Sequence, residues 1–250
     1  MPERVPILTY HSLDASGSVI SVHPVDFRRH MELLRERGYR GIALGDLLEA
    51  WEGRGGSVER PVVLTFDDGF RSTAEEAGPV LRELGFRATV FVVAGHCGKT
   101  NDWPTQPPSI PRLPLLSFAE LRGLGREVFE VGAHGVSHAP LDRLSPAEAE
   151  TEVRDSKRLL EDALGYEVAV FAYPYGGADD RVRACVRAHY RGACSVELGV
   201  AAREQDRHWL SRIDTYYVRD PALFGLLGSG IGTAYLSLRA AGRWLKRRVS

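Results

Sequence analysis

The sequence predicts an α/β fold, a distorted (β/α) barrel of about seven to eight strands. Short β-rich runs alternate with amphipathic helical patterns, which is typical of parallel strands joined by helical crossovers. The alternation continues without a break in composition, and a chain of 250 residues is a usual length for a single barrel. A doubly wound open sheet would show the same alternation, so the pattern alone leaves both architectures open.

The first part of the chain contains two strand–helix units and then a buried strand. Residues 7–10 are expected to form a strand, and residues 24–37 a helix that carries Phe27 and Met31 on one face. Residues 61–66 are a continuous apolar run, which is typical of a strand buried on both faces. Between these elements the same criteria predict a strand and a helix, at residues 39–43 and 47–51.

The second part of the chain continues the alternation. Ser145 at the N-cap, Pro146 at the first helical position and Glu148 at the third indicate a long helix that ends near residue 164. Residues 96–116 form a Pro-rich loop that is too long for a simple connection, so we expect it to cover a site. The remaining strands are expected at residues 88–93, 128–133, 168–172, 192–196 and 210–213, and the remaining helices at residues 73–84, 118–124 and 178–189.

The composition excludes some classes of function. The 32 Lys and Arg residues balance 33 Asp and Glu residues, whereas a dedicated nucleic-acid binder normally has a basic excess, so no nucleic-acid partner is expected. Cys97, Cys185 and Cys194 form no CxxC pair and suggest no disulfide framework. No secretory signal pattern precedes the first predicted strand, so we expect a cytoplasmic protein.

We expect one barrel domain over residues 1–221 and a tail over residues 222–250. Residues 222–238 carry no charge, and the basic residues that follow them are Arg239, Arg243, Lys246, Arg247 and Arg248. The apolar part is shorter than the roughly 20 residues that a spanning helix needs, so a last helix packed on the barrel is expected. The alternatives are an interfacial helix with its basic residues at anionic lipid headgroups, which would place the protein at the membrane, and a spanning segment.

Polar residues follow four of the predicted strands. His11 ends the first strand, an Asp-Asp-Gly sequence at residues 67–69 follows the third, and His134 and His138 follow a later one. A Tyr-Pro-Tyr-Gly sequence at residues 173–176 follows another strand. Because the carboxyl ends of parallel strands meet at one rim, we expect these residues to lie close together.

The residue types in this group suit a catalytic metal. One Asp with His134 and His138 makes a set of two imidazoles and one carboxylate, which leaves coordination positions open for water and substrate. Asp67 and Asp68 cannot both point the same way at a strand end, so one is expected to bind the cation and the other to face the substrate. Taken singly, each motif has a plainer interpretation as a capped turn or a surface residue. Their coincidence at three strand ends favours a catalytic site.

These residues resemble the motifs of the NodB-type polysaccharide deacetylases, carbohydrate esterase family four. Residues 65–69, Thr-Phe-Asp-Asp-Gly, are similar to the first motif of the family, and residues 134–138, His-Gly-Val-Ser-His, to its H-(S/T)-x-x-H motif. Residues 171–176, Phe-Ala-Tyr-Pro-Tyr-Gly, resemble its R-x-P-Y motif. The resemblance covers residues 62–213 in the same order and spacing.

The resemblance implies a distorted barrel that binds a divalent cation, most often zinc, through Asp68, His134 and His138. Asp67 would be the general base that takes a proton from the attacking water. The backbone N–H of Tyr175 would help stabilise the oxyanion. The implied activity is the removal of an N-acetyl group from an amino sugar in a glycan or a lipid-linked glycan precursor.

The sequence departs from the family pattern at four motifs. Ala172 stands where the family has the Arg that orients the base carboxylate, and Gly135 replaces a Ser or Thr between the histidines. The late L-x-H motif, whose His is the general acid, here ends in Arg212. The fourth motif, with its Asp and Trp, has no clear match in the region of residues 192–195. Metal binding is therefore better supported than the complete proton relay.

The missing acid leaves two sources for the proton that the leaving amine requires. Asp67 could return the proton it took from water, or His11 could donate one, since it should face the same rim. His96 is a weaker candidate because it lies in the long loop. Two other functions are compatible with these residues: a carbohydrate-binding barrel without catalysis, and a deformylase on the same scaffold.

Overall fold

The computed structural model describes the backbone of residues 1–249 and their side chains, except those of residues 233 and 243–249. Eight parallel strands form the main sheet, and they are numbered in chain order. They are β1 (Ile7–Tyr10), β2 (Arg40–Ile42), β3 (Pro61–Phe66), β4 (Ala88–Val92), β5 (Phe129–Ala133), β6 (Val170–Ala172), β7 (Gly192–Leu198) and β8 (Leu210–Asp214). Two short ladders pair Arg4–Val5 with Ala201–Ala202 and Ser12–Leu13 with Ser21–Val22.

Seven of the eight strands close into a barrel. The ring runs β1-β3-β4-β5-β6-β7-β8 and returns to β1, because β1 pairs with β8 on one edge and with β3 on the other. β2 lies outside the ring, where it pairs with the first half of β3, while the second half of β3 pairs with β4. The closed ring confirms the distorted barrel and excludes the open sheet.

Eight α-helices surround or follow the strands. They are α1 (Pro24–Glu36), α2 (Leu44–Trp51), α3 (Gly78–Leu84), α4 (Phe118–Gly123), α5 (Pro146–Leu164), α6 (Asp180–His189), α7 (Pro221–Phe224) and α8 (Gly230–Val249). α5 begins as expected: the Ser145 hydroxyl accepts from the Glu148 N–H, and the Glu148 carboxylate accepts from the Ser145 N–H.

The helix expected over residues 73–84 is divided in two. Thr73–Ala77 forms a wide π-helical turn, in which the Gly78 N–H donates to the Thr73 carbonyl five residues back. The physical reason is Pro79, which has no N–H to donate to the carbonyl four residues before it.

Side chains alternate between the barrel interior and the helices. On β3, Val63 lies in an apolar cluster with Ile7 of β1, Phe91 of β4 and side chains of α2, whereas Leu64 belongs to the cluster that includes α1, α3 and α5. The same period of two directs Asp67, just beyond the end of β3, toward the interior. The fold therefore places this carboxylate at the mouth of the barrel.

The end of the chain packs against the barrel in part. Phe224 of α7 and Leu236 of α8 are buried in the same apolar cluster as the strands, and the Tyr235 hydroxyl donates to the Tyr217 carbonyl at 2.9 Å. Within residues 1–249, no helix combines the length and apolar character needed to cross a bilayer. The domain boundary expected at residue 221 stays a prediction.

Candidate active site

A cavity of about 320 Å³ opens at the carboxyl ends of the barrel strands. Its size is at the lower end of the range usual for small-molecule sites. All six residues that the sequence analysis singled out line it, namely His11, Asp67, Asp68, His134, His138 and Tyr175. His96 is not among the lining residues.

Asp68, His134 and His138 form a compact, buried group. Oδ1 of Asp68 lies 3.2 Å from Nε2 of His138 and 3.5 Å from Nε2 of His134. One ligand atom from each residue lies within 4.8 Å of the others. Within the described part of the chain, Oδ1 of Asp68 is buried and has no hydrogen-bond partner. A buried carboxylate oxygen without a donor is costly, and a cation between the three side chains would satisfy it.

The environment of His134 favours the form that binds metals. Its Nδ1 donates to the Ala172 carbonyl at 2.7 Å, which leaves the lone pair of Nε2 directed toward Asp68. Burial lowers the pKa of His134 to about 4, so the imidazole is neutral near pH 7. Nitrogen and oxygen donors of this kind fit zinc and several other divalent cations.

Backbone strain is concentrated at this site. Asp68, His138 and Tyr175 have φ angles of 71°, 60° and 56°, and no other described residue except glycine has a positive φ. Left-handed conformations are costly for residues with a Cβ and persist where the surrounding structure holds them. Gly69, with φ 78°, continues the turn after Asp68. The turn separates the two carboxylates, so that Asp67 and Asp68 have different partners.

Glu152 of α5 holds the loop that carries the two histidines. One carboxylate oxygen accepts from the Val136 N–H at 2.8 Å and the Ser137 N–H at 3.0 Å, and the other accepts from the Ser137 hydroxyl at 2.7 Å. A Cβ at residue 135 would lie 3.0 Å from the same carboxylate, and Gly135 has φ 77°. The glycine that replaces the family's Ser or Thr thus fits this close approach.

Arg212 of β8 supplies a guanidinium to the Asp67 carboxylate. Its Nη1 and Nη2 donate to Oδ1 and Oδ2 at 2.7 and 2.8 Å, and its Nε donates to the Ser195 carbonyl at 2.8 Å. Burial alone would raise the pKa of the Asp67 carboxyl, but the charge and hydrogen bonds of Arg212 hold it well below its usual range.

This pair changes the interpretation of one departure from the family motifs. An arginine does orient the Asp67 carboxylate, although it comes from β8 and not from residue 172 on β6. Ala172 contributes its carbonyl to His134. The sequence signal was the presence of Arg212 inside a predicted buried strand, because a buried arginine requires an acidic partner.

His11 and Tyr175 stand on different sides of the metal-ligand group. Nε2 of His11 lies 4.0 Å from Oδ2 of Asp67, and the His11 side chain is partly exposed. The Tyr175 ring packs edge-on against His138, with 4.6 Å between the ring centroids. The roles expected for the His11 imidazole and the Tyr175 N–H stay predictions.

The long loop at residues 96–116 lies over the site. Trp103 is buried and stacks on the His138 ring at 4.2 Å between centroids, and its Nε1 donates to the Tyr175 hydroxyl at 3.1 Å. Asn101 closes the loop on itself, accepting from the Leu113 N–H at 2.7 Å. The loop therefore fixes the ring of His138, a role that the sequence analysis did not assign to Trp103.

Comparisons with known proteins agree with this geometry. Residues 54–191, which are more than half of the chain, match the family model of polysaccharide deacetylases, and the three motifs lie within that match. The chain belongs to the polysaccharide deacetylase family. Membership identifies it as a carbohydrate deacetylase, a hydrolase whose substrate is an acetylated sugar.

Individual relatives support the same conclusion. Over 213 residues the chain is 26% identical to YxkH of Bacillus subtilis (strain 168), a protein named as a polysaccharide deacetylase, with 85% of this chain and 71% of that protein covered. It is 25% identical over 203 residues to a poly-beta-1,6-N-acetyl-D-glucosamine N-deacetylase of Staphylococcus aureus (strain MSSA476), with 77% and 67% covered.

Two solved structures show the same fold. The deacetylase PplD of Streptococcus pyogenes, in complex with acetate, aligns with a TM-score of 0.75 at 23% identity, over 86% of this chain and 93% of that one. IcaB of Ammonifex degensii aligns with a TM-score of 0.72 at 21% identity, over 90% and 98%. At these identities the likeness supports the architecture alone.

Proposed function

We propose that the protein is a metal-dependent N-deacetylase that hydrolyses the N-acetyl group of an amino sugar in a glycan or a lipid-linked glycan precursor. One observation supports this most directly: the Asp68, His134 and His138 group shares a cavity with the Asp67 carboxylate, which Arg212 holds in place. A barrel that only binds carbohydrate would have no use for an ionised carboxylate beside three ligand side chains.

Zinc is the cation that we propose for this group, because two imidazoles and one carboxylate are ligands that zinc accepts with coordination positions left open. Asp68, His134 and His138 would hold it. When bound, the cation supplies Lewis acidity to the amide carbonyl and to the attacking water. The remaining steps belong to side chains and backbone groups of this chain.

Asp67 is the proposed general base. Its low pKa keeps the carboxylate ionised over the whole working range, so that it is always able to accept a proton. A low pKa also makes a carboxylate a weaker base. We therefore infer that the Arg212 pair serves chiefly to aim the carboxylate at the attacking water, as positioning alone contributes large factors in rate.

The products require one proton transfer at each end of the reaction. Water gives a proton to Asp67 as its oxygen bonds to the acetyl carbon, and the Tyr175 N–H is proposed to donate to the carbonyl oxygen as that oxygen becomes negative. The C–N bond then breaks, and the amine nitrogen takes a proton from His11 or from Asp67. Acetate and a free amino sugar leave the site.

The test is a release assay with a panel of N-acetylated and N-formylated amino sugars, including oligomers of N-acetylglucosamine. We expect acetate from at least one N-acetylated sugar, with the metal content measured in the same sample. Asp67→Asn should remove activity, and Asp162→Asn, an exposed residue on α5, is the matched control. Formate as the main product would favour the deformylase, and bound sugar without any product would favour the non-catalytic barrel.

A further inference from the structure

A second group of ligand-type side chains lies between two outer helices. Cys185 and His189 are four residues apart on α6 and therefore lie on one face of that helix. Glu150 faces them from α5. One ligand atom from each of the three lies within 4.8 Å of the others, and all three residues are half-buried. None of them lines the active-site cavity.

The carboxylate of Glu150 accepts hydrogen bonds from both of the other side chains. The Cys185 thiol donates to its Oε2 at 2.8 Å, and Nε2 of His189 donates to its Oε1 at 2.7 Å. In a tetrahedral zinc site with ligand bonds of about 2.0–2.3 Å, neighbouring ligand atoms lie about 3.3–3.8 Å apart. The three donors therefore need to separate by about 1 Å or less to admit a cation.

We propose that Cys185, His189 and Glu150 bind one zinc ion, with water in the fourth position. Sulfur, nitrogen and oxygen donors together suit zinc, whereas magnesium and calcium prefer oxygen alone. The site is separate from the catalytic group and does not depend on the proposed activity.

The charges balance when the cation enters. Burial and the neighbouring Glu150 carboxylate raise the pKa of the Cys185 thiol to about 12, so the thiol is protonated without a metal. Coordination forms an S–Zn bond and releases the thiol proton to solvent, and His189 binds through Nε2 with its proton on Nδ1. A dication, a thiolate and a carboxylate then sum to zero. The positive charge of Arg154 on α5 favours the ionised forms of Cys185 and Glu150. Its Nε donates to Asp155 at 3.0 Å, so the Arg154 charge is itself paired.

The position of the site connects it to the active centre. Glu150 lies two residues before Glu152, which holds the loop of His134 and His138. A cation on Glu150 would fix α5 to α6 and so hold the helix that positions this loop.

Cobalt titration tests the site, because a thiolate–cobalt bond absorbs in the near ultraviolet and the catalytic group contains no sulfur. We expect the wild-type protein, freed of metal, to develop this band as up to two equivalents of Co²⁺ per chain are added, because the catalytic group takes up cobalt without contributing to it, and to lose the band on addition of Zn²⁺. Cys185→Ser should abolish the band, His189→Ala should weaken Co²⁺ affinity at least tenfold, and Cys97→Ser, a half-buried cysteine elsewhere, should leave both unchanged.

Two results would overturn the proposal. One is the absence of a thiolate band in folded wild-type protein at a Co²⁺ excess, and the other is a band that persists in Cys185→Ser. Circular dichroism on each variant establishes that it is folded. Because the band does not report activity, a failed deacetylase assay would leave this result unaffected, and the reverse also holds.

Discussion

Arg212 and Asp67 form a buried, bidentate ion pair between β8 and the end of β3. The Nη1–Oδ1 and Nη2–Oδ2 distances are 2.7 and 2.8 Å, and the two side chains are 3% and 5% exposed. β1 lies between these strands in the ring, so the pair crosses the barrel mouth. Two parallel hydrogen bonds fix the plane of the carboxylate as well as its position.

Arg212→Lys tests whether that plane matters. Lysine keeps the charge but cannot make the two parallel bonds, so kcat should fall about 10²-fold while the metal content stays the same. Arg212→Met also removes the charge and with it the main opposition to burial, so the pKa of the Asp67 carboxyl rises. The acidic limb of its pH–rate profile should move to higher pH.

The two variants separate positioning from folding. Breaking a buried ion pair costs about 3–5 kcal/mol, so urea unfolding of both variants must accompany the kinetics. A purely structural role for Arg212 predicts lower stability with an unchanged pH profile in the folded fraction. That result would contradict the assignment.

The barrel was predictable from the sequence because its strands are short apolar runs separated by helical patterns. All eight main-sheet strands were expected from this pattern, and seven of them join the ring, whereas β2 lies outside it. The sequence of residues 39–43 is compatible with a strand inside the ring and with a strand beside it. Its position outside the ring is decided by pairing, because β2 pairs with the first half of β3 and β4 pairs with the second half. Pairing between distant strands leaves no local signal.

Some residues of the candidate active site were predictable from the sequence and others were not. His134, His138, Asp67 and Asp68 were found because they lie in the segments that follow two strand ends, and parallel strands end at one rim. Sequence analysis identified Arg212 only as the residue that replaces the general acid of the family. Its ion pair with Asp67 was not predicted, because Asp67 lies 145 residues away in the chain and follows a strand that is not adjacent to β8. Trp103 and Glu152 act on His138 and its loop through contacts that no spacing in the sequence encodes.

Metal retention should depend on each member of the ligand group. Asp68→Ala, His134→Ala and His138→Ala should each lose the active-site cation and the activity, because three ligands hold an open site and the loss of one removes much of its binding energy. Asp67→Asn should keep the cation and lose at least about 10² in kcat. Metal analysis after dialysis measures the retention of the cation, and the acetate-release assay measures kcat.

The comparison of Asp67 with Asp68 tests which carboxylate binds the cation and which one acts as the base. Retention of the cation by Asp68→Asn together with its loss from Asp67→Asn would reverse the two roles. Measuring on a Cys185→Ser background keeps any metal between α5 and α6 from obscuring the count.

Two exposed apolar side chains on the last helix allow a test of the expected alternative that this helix lies at a membrane surface. Ile231 and Leu238 are 70% and 76% exposed and lie seven residues apart on α8, close to the exposed Arg239. Replacing both with Ser should weaken binding to anionic vesicles at least tenfold, since burial of each side chain contributes about 1.5–3 kcal/mol. Val25→Ser, 68% exposed on α1, is the matched control.

Substitution is preferable to truncation in this experiment. Deleting residues from 222 onward would remove Phe224 and Leu236, which are buried against the barrel. Vesicle binding that is absent in the wild type, or unchanged in the double variant, would remove the membrane-surface interpretation and leave α8 as a packed terminal helix.

His30 should make the fold sensitive to acid. It lies on α1 and is buried against β1 and the α7 region: Nε2 donates to the Arg219 carbonyl at 2.9 Å, Nδ1 accepts from the Tyr10 hydroxyl at 3.2 Å, and the ring stacks on Phe224. Burial lowers its pKa to about 4, whereas an imidazole in an unfolded chain titrates near 6.5. Between these values only the unfolded chain gains the proton.

The stability contributed by His30 is therefore complete above about pH 6.5 and is lost as the pH falls toward about 4, by about 3 kcal/mol in total. His30→Gln should lower the free energy of unfolding at pH 8 and flatten its decline between pH 6.5 and 4. Urea unfolding at a series of pH values measures this. His23→Gln, at the exposed N-cap of α1, should keep the wild-type slope, and an equal slope in His30→Gln would refute the assignment.

His11 and Asp67 are the two groups that we expect to supply the proton for the leaving amine, and they are neighbours in the structure. Nε2 of His11 lies 4.0 Å from Oδ2 of Asp67, and both residues line the cavity. Arg212, which occupies the place of the family's acid, cannot release a proton in a protein and is held by Asp67. His11 therefore has the position of a proton donor, while Asp67 could also return the proton that it received.

His11→Ala separates these two donors. A general acid contributes about 10²–10⁴ in rate, so kcat should fall at least a hundredfold with the metal content unchanged. Added imidazole should restore part of the rate, since the His11 side chain is partly open to the cavity. A variant within a few-fold of wild type would assign the proton to Asp67, which would then act as both base and acid.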